Sequence, residues 1–115
     1  MAIKMFHNPR CSKSRATLAL LQENGHEPEL RLYLESPPDA DELRVILEKL
    51  GKTARELMRT GEADYREQGL NNPALSEDQL ISAMINTPRL IERPIVLANG
   101  RAAIGRPPES VLDIL

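Results

Sequence analysis

Cys11 is the only cysteine among the chain's 115 residues, and it sits where a nucleophile would be placed. It lies in His7-Asn8-Pro9-Arg10-Cys11-Ser12-Lys13-Ser14-Arg15, after a short, mostly apolar run (Ala2-Ile3-Lys4-Met5-Phe6) and before an amphipathic stretch from Arg15 to Asn24. If the run is a strand and the stretch a helix, the thiol faces the unpaired backbone N–H groups of a first helical turn. Those groups and the helix dipole favour thiolate over thiol. His7, Arg10, Lys13 and Arg15 add positive charge nearby. The competing reading is an inert cysteine serving as a small buried apolar residue; the polar, basic neighbours and Pro9 do not describe a core environment. With no second cysteine, the chain cannot close an internal disulfide, so any disulfide step draws on an outside thiol.

Three arginines stand at places suited to an anion. Arg59 ends the helical segment Glu56-Leu57-Met58-Arg59, Arg93 precedes a proline that opens a strand, and Arg106 follows a strand just before Pro107. Strand ends, where turns meet a sheet, are common places for sites. The planar, permanently charged guanidinium suits a tetrahedral oxyanion better than lysine does, and several converging on a thiolate would stabilise charge building up on the substrate. Each arginine taken alone reads more readily as a solvated surface charge, because spacing does not establish convergence. His7 has two readings: an imidazole that tunes the thiol, or a strand end closed by a hydrogen bond. His7 and His26 are too few and too far apart to build a zinc site with Cys11. There is no glycine-rich phosphate loop. Nothing therefore points to a bound metal or cofactor.

The elements that would position these residues follow from periodicity. Leu18, Leu20 and Leu21 give the first helix its apolar face, and Asn24-Gly25 ends it. Glu29-Leu30-Arg31-Leu32-Tyr33-Leu34 alternates as a strand does, which completes β-α-β with parallel strands. The middle is helical. Pro37-Pro38-Asp39 opens a helix bearing Leu43, Val45, Ile46, Leu47 and Leu50, closed by Gly51. Thr53-Ala54-Arg55-Glu56 and Ser76-Glu77-Asp78-Gln79 both have the form of capping boxes. Between them, Thr60 to Pro73 reads as short helices and loops. Leu80, Ile81, Met84 and Ile85 share a helical face. Pro94-Ile95-Val96-Leu97-Ala98 then reads as a buried strand, Asn99-Gly100 as a hairpin turn, and Arg101-Ala102-Ala103-Ile104 as its return. Pro107-Pro108-Glu109 begins a last helix. The order β-α-β, helical insert at about 38–90, β-β-α is that of an α/β, thioredoxin-like fold on a four-stranded mixed sheet. All three stretches feed one sheet, so residues 1–115 are expected to form a single domain.

Composition sets further bounds. The net charge of −2 gives no sign of nucleic-acid binding. No apolar run approaches a membrane span, and the start carries no secretory pattern. One unpaired cysteine fits a reducing cytoplasm. Without Trp, and with one Phe and two Tyr, the core must come from Leu, Ile, Val, Ala and Met.

The chain resembles the glutaredoxin-coupled arsenate reductase family. The resemblance rests on His7-Asn8-Pro9-x-Cys11-x-x-Ser14-Arg15, Tyr33-Leu34-Glu35-x-Pro37, Arg59, Ile91-x-Arg93-Pro94-Ile95-Val96, Gly105-Arg106-Pro107 and Val111-Leu112-Asp113-Ile114. It runs from about Ile3 to the C-terminus. It implies a thioredoxin-like fold with a helical insert and a cis Arg93–Pro94 bond. It implies that Cys11 attacks arsenate, that Arg59, Arg93 and Arg106 bind the oxyanion, and that His7 and Ser14 keep the cysteine ionised. Glutathione would be co-substrate and glutaredoxin the reducing partner. Arg10, where a small residue is usual, and Ser12-Lys13, in place of a Gly-Thr pair, depart from the pattern and make the loop bulkier and more basic. Two other readings remain: a glutathione-dependent thiol reductase of unknown substrate, and a redox-sensing binding protein of the same superfamily. The latter typically carries a C-x-x-C switch, whereas here the second position is Ser14.

Overall fold

A computed structural model describes residues 2–115. The chain divides into two compact units: residues up to Ser36 together with Arg93–Leu115, and Pro37–Glu92.

The first unit carries the sheet. Strand β1 (Lys4–Phe6) leads into helix α1 (Ser12–Glu23), which returns to β2 (Glu29–Arg31). Strands β3 (Ile95–Ala98) and β4 (Arg101–Ile104) follow, then a 3-10 helix over Pro108–Ile114. The four strands lie in the order β2-β1-β3-β4. β1 runs parallel to β2, with Phe6 opposite Arg31, and antiparallel to β3, with Phe6 opposite Ile95. β3 pairs antiparallel with β4, with Ile95 opposite Ile104. This is the expected mixed four-stranded sheet, and the elements follow one another along the chain as expected.

Alternation along the strands sorts the core. Met5, Val96 and Ala98 join Ile3, Leu21 of α1, and Val111 and Ile114 of the last helix in one apolar cluster. Phe6 points to the other face and stacks on Tyr33, with ring centroids 6.2 Å apart. The Asn99-Gly100 turn is the predicted hairpin, with both residues at positive φ, 55° and 72°, as a two-residue type I′ loop requires.

Two elements depart from the sequence expectation. The strand read over Glu29–Leu34 stops at Arg31, because the backbone N–H groups of Glu35 and Ser36 both donate to the Leu32 carbonyl and turn the chain. Leu30, Leu32 and Leu34 are consequently exposed, and Tyr33 is the buried residue of that stretch. The last helix is 3-10 rather than α, with Pro108, not Pro107, as its first residue.

The second unit is helical: α2 (Ala40–Leu50), α3 (Ala54–Leu57), α4 (Ala63–Glu67), α5 (Glu77–Asn86) and a 3-10 turn over Pro88–Leu90. Helices α2, α3 and α5 each start with a complete capping box, at Asp39, Thr53 and Ser76. Each cap satisfies two orphan backbone donors at once. Leu43, Ile46, Leu47, Leu57, Leu80, Ile81, Met84, Leu90 and Ile91 are buried. The polar stretch after Thr60 is ordered by Arg55. Its guanidinium donates to the Tyr65 hydroxyl (2.7 Å), the Leu70 carbonyl (2.6 Å) and the Asn72 carbonyl (2.9 Å). Among the described residues, no helix is long and apolar enough to cross a membrane.

Candidate active site

Register brings the candidate residues of the first unit to one end of its sheet. Phe6 ends β1 and pairs with the first residue of β3, so the segment from His7 onward leaves the sheet beside Arg93-Pro94. Ile104 ends β4 opposite the same Ile95, so Gly105-Arg106 emerges there too. β2 runs parallel to β1, and its exit at Leu32 shares that end.

The segment from His7 to Cys11 is held by its own hydrogen bonds. The His7 N–H donates to the Arg31 carbonyl (2.9 Å) and the Cys11 N–H to the Asn8 carbonyl (3.0 Å). The Asn8 N–H donates to Ser14 Oγ (3.0 Å). Asn8 Oδ1 accepts the Arg10 N–H (3.0 Å), and Arg15 Nη1 donates to the Pro9 carbonyl (2.9 Å). Cys11 is thereby fixed as the N-cap of α1, with extended backbone (φ −93°, ψ 123°), and its side chain makes no capping bond. Cys11 is only 8% exposed, more enclosed than its polar neighbours imply.

His7 and Ser14 do meet: His7 Nδ1 lies 2.7 Å from Ser14 Oγ, and both residues are buried. Burial, and secondarily the positive Arg15, lower the His7 pKa below its ordinary 6.5, which favours the neutral imidazole. Ser14 already accepts the Asn8 N–H, which leaves its O–H free to donate to a neutral Nδ1. This one hydroxyl thus ties the strand end to the helix that starts at Cys11.

Arg93 and Arg106 are joined through the backbone: Arg106 Nε donates to the Arg93 carbonyl (2.9 Å). Both arginines precede cis prolines, at Arg93–Pro94 and Arg106–Pro107. The first is the bond implied by the resemblance; the second carries no signal that the sequence reading used. Gly105 completes the joint. Its N–H donates to the Pro94 carbonyl (2.9 Å), and a Cβ at this position would overlap Thr17 Oγ1 and stand 2.7 Å from Pro94 Cγ. Thr17 is fully buried on α1, and its hydroxyl donates to the Lys13 carbonyl (2.8 Å). The absent side chain of Gly105 therefore lets the Arg106 segment pack directly on the helix that Cys11 caps. The sequence reading missed Gly105 and Thr17 as site residues, because a glycine after a strand reads first as punctuation.

Arg59 belongs to the other unit. Its N–H donates to the Leu90 carbonyl (2.7 Å). Its guanidinium pairs with Glu62 and, through Nε at 3.7 Å, with Glu92. An anion that recruits Arg59 must compete with these carboxylates.

A profile of the ArsC family matches residues 6–114. The chain belongs to the ArsC family. It is 54% identical over 114 residues to an arsenate reductase of Neisseria meningitidis, covering 98% of this chain and 97% of that one. It is 60% identical over 114 residues to the uncharacterized protein YfgD of Escherichia coli K12, covering 98% and 96%. Among solved structures, an arsenate reductase from Vibrio cholerae superposes with a TM-score of 0.97 at 49% identity, over 100% of this chain and 98% of the other. The ArsC fold is thus the thioredoxin-like, mixed-sheet architecture read from the element order.

Proposed function

We propose that this ArsC-family protein reduces arsenate to arsenite, with Cys11 as nucleophile and an outside thiol, glutathione, as the second electron donor. The observation that carries the reading is Cys11 itself. It is a lone cysteine at an uncapped helix start, at the sheet end that also carries Arg93 and Arg106. The arsenate reductases similar to this chain over nearly its full length support the substrate.

The chemistry balances as follows. The Cys11 thiolate attacks As(V), an S–As bond forms, and one arsenate oxygen leaves as water after protonation. Splitting the reaction through a covalent intermediate divides one hard step into two. A glutathione thiolate then attacks the Cys11 sulfur. The S–As bond breaks with its electron pair going to arsenic, which becomes As(III), while a Cys11–glutathione disulfide forms. Overall, two thiols are oxidised to one disulfide, arsenate becomes arsenite, and one water is released. Glutaredoxin takes over the glutathione by thiol exchange and returns Cys11 to its reduced form.

In this scheme Arg93 and Arg106 hold the oxyanion and offset the repulsion between two negative reactants, with Arg59 as a third contact. His7 and Ser14 keep the thiolate in place. Supporting this role, His7 Nδ1 and Ser14 Oγ lie 2.7 Å apart at the end of the segment that holds Cys11. The work is placed in the cytoplasm, where a glutathione pool maintains reduced thiols.

The test is arsenate reduction by purified protein with glutathione, glutaredoxin and an NADPH-coupled readout, alongside Cys11→Ser. Without glutaredoxin, intact mass should show one glutathione adduct that forms faster with arsenate than without it. Equal rates with and without arsenate would reduce Cys11 to a generally reactive thiol.

A further inference from the structure

Strand β2 is an edge of the sheet. It pairs with β1 on one side, and among the described residues no strand pairs with the other. Its backbone bonds fix what that free edge offers. The Glu29 N–H donates to the Ile3 carbonyl (2.8 Å), and the Arg31 carbonyl accepts the His7 N–H (2.9 Å). Glu29 and Arg31 thus direct their backbone groups at β1. The trans peptides that flank them turn the Pro28 carbonyl and the Leu32 N–H the other way. Leu30, between them, presents both its N–H and its C=O to the open edge, and it is 43% exposed. We infer that this edge pairs with the same edge of a second copy of the chain, antiparallel, with Leu30 on the two-fold axis.

Three observations carry it. Centred on Leu30, the strand is complementary to itself in charge. Antiparallel pairing sets Glu29 opposite the partner's Arg31, and Arg31 opposite the partner's Glu29, which gives two attractive cross-strand pairs. In-register parallel pairing would set like charge beside like. A guanidinium has five N–H donors, so the bond from Arg31 Nε to the Ser36 carbonyl (2.6 Å) is compatible with a facing carboxylate. The hydrogen bonds match as well. The two Leu30 residues exchange N–H and C=O as a close pair, and each Leu32 N–H meets the partner's Pro28 carbonyl. The bond missing from this ladder runs from Pro28, which has no N–H, to the Leu32 carbonyl, which already accepts the Glu35 and Ser36 N–H groups. The absent donor falls opposite the acceptor that does not need it. Finally, Leu30 is the register partner of Met5, so the two Leu30 side chains meet on the sheet face of the apolar cluster that holds Met5. Such an isologous contact uses up the edge on both copies and closes at two. Residues 28–32 make a short contact, of the weak class below about 1,200 Å², so association belongs to high protein concentration.

Sedimentation velocity of the reduced full chain, loaded at about 10 µM to 1 mM to cover weak affinities, should show a monomer–dimer equilibrium. Cys11→Ser should associate equally, which excludes a disulfide between copies and separates this inference from the arsenate reading. Over the same range, amide hydrogen exchange should slow with concentration at Leu30 and Leu32 and stay constant at Glu29, whose N–H is already bonded within the chain. Glu29→Arg should weaken self-association about tenfold, because two attractive pairs become repulsive, and Arg31→Glu should do the same. The decisive arm mixes these two variants. Each alone faces like charge, but together they face opposite charge at both positions, so a heterodimer should form at about wild-type strength. If circular dichroism shows that Arg31→Glu does not fold, Leu30→Pro takes its place. It removes an N–H that points away from β1, where an edge strand tolerates proline, and should abolish the dimer while the fold survives. A monomer at every concentration would overturn the inference. So would a dimer indifferent to Glu29→Arg and Leu30→Pro, folded charge variants that do not pair on mixing, or concentration-dependent protection confined to the β4 edge.

Discussion

The long helices of the two units start in opposite ways. In the helical unit, α2, α3 and α5 each begin with a capping box, so their first-turn donors are occupied from within. In the sheet unit, α1 begins at Cys11 with cap-like backbone angles and no side-chain capping bond. A thiol is a weak acceptor where Ser, Asp or Thr would be a good one. Helix α4 is also uncapped at Glu62, but it is a single short turn; among the three helices of ten residues or more, α2 and α5 are closed by side-chain caps and α1 is left open for negative charge.

Replacing Cys11 by serine probes this contrast most severely. Arsenate reduction should fall to background, because the nucleophile is gone. Folding stability should hold or rise, by up to about 1 kcal/mol, because a serine at a cap position with suitable backbone angles can accept a first-turn N–H. Denaturant unfolding beside the coupled assay checks both halves. A marked loss of stability would mean that Cys11 is a packing residue after all.

Next in size are the arginines proposed to hold the oxyanion. Arg93→Ala and Arg106→Ala should each cost about ten- to a hundredfold in kcat/KM for arsenate, the scale of a lost bond to a charged group, while far-UV circular dichroism stays native. Arg→Lys should rescue only in part, because bidentate geometry is lost. Arg59→Ala should cost less, since its guanidinium already serves Glu62 and Glu92. Wild-type kinetics in all three alanine variants would remove the oxyanion site.

The closed side of the comparison yields smaller, purely thermodynamic effects. Asp39→Ala, Thr53→Ala and Ser76→Ala should each lower unfolding free energy by about 1 kcal/mol. The joint under Arg106 should be more sensitive. Gly105→Ala forces a methyl onto Thr17 and Pro94, and overpacking of this kind costs about 1–3 kcal/mol. Thr17→Ala in the same chain should restore part of the loss, which a urea titration of the single and double variants would show.

How much of this was legible in the sequence follows the same division. The capping boxes at Thr53 and Ser76, the Asn99-Gly100 turn and the order of strands and helices are local signals, and local signals survive into the fold. Cys11, His7 and Ser14 were legible as a group because they share one short segment. The convergence of Arg93 and Arg106 was not, since spacing says nothing about register; it follows from Ile95 pairing with both Phe6 and Ile104. The end of β2 was misread because alternation persists through Leu34 while the backbone turns at Leu32. The role of Gly105 is not legible because a close approach to Thr17, 88 positions away in sequence, leaves no mark around it.

The smallest effect concerns the hydroxyl that links the two ends of the Cys11 segment. Burial and Arg15 hold the His7 pKa below 6.5 in the folded chain, while in the unfolded chain it returns to the ordinary value. As pH falls through 6.5, the unfolded state takes up a proton first, so it is favoured and stability declines. The decline continues until pH passes the lower folded value, where both states are protonated. Well above pH 7, where both states are unprotonated, this group contributes no slope. His7→Asn keeps a polar atom near the position of Nδ1 but does not titrate, so its stability should lack this component between pH 7 and pH 5. Urea midpoints measured across that window for both proteins decide it: wild type should lose its lead over the variant as the solution is acidified. A gap that is constant with pH would mean that His7 takes up its proton equally in both states, and the neutral His7–Ser14 pair would no longer be available to orient the start of the open helix.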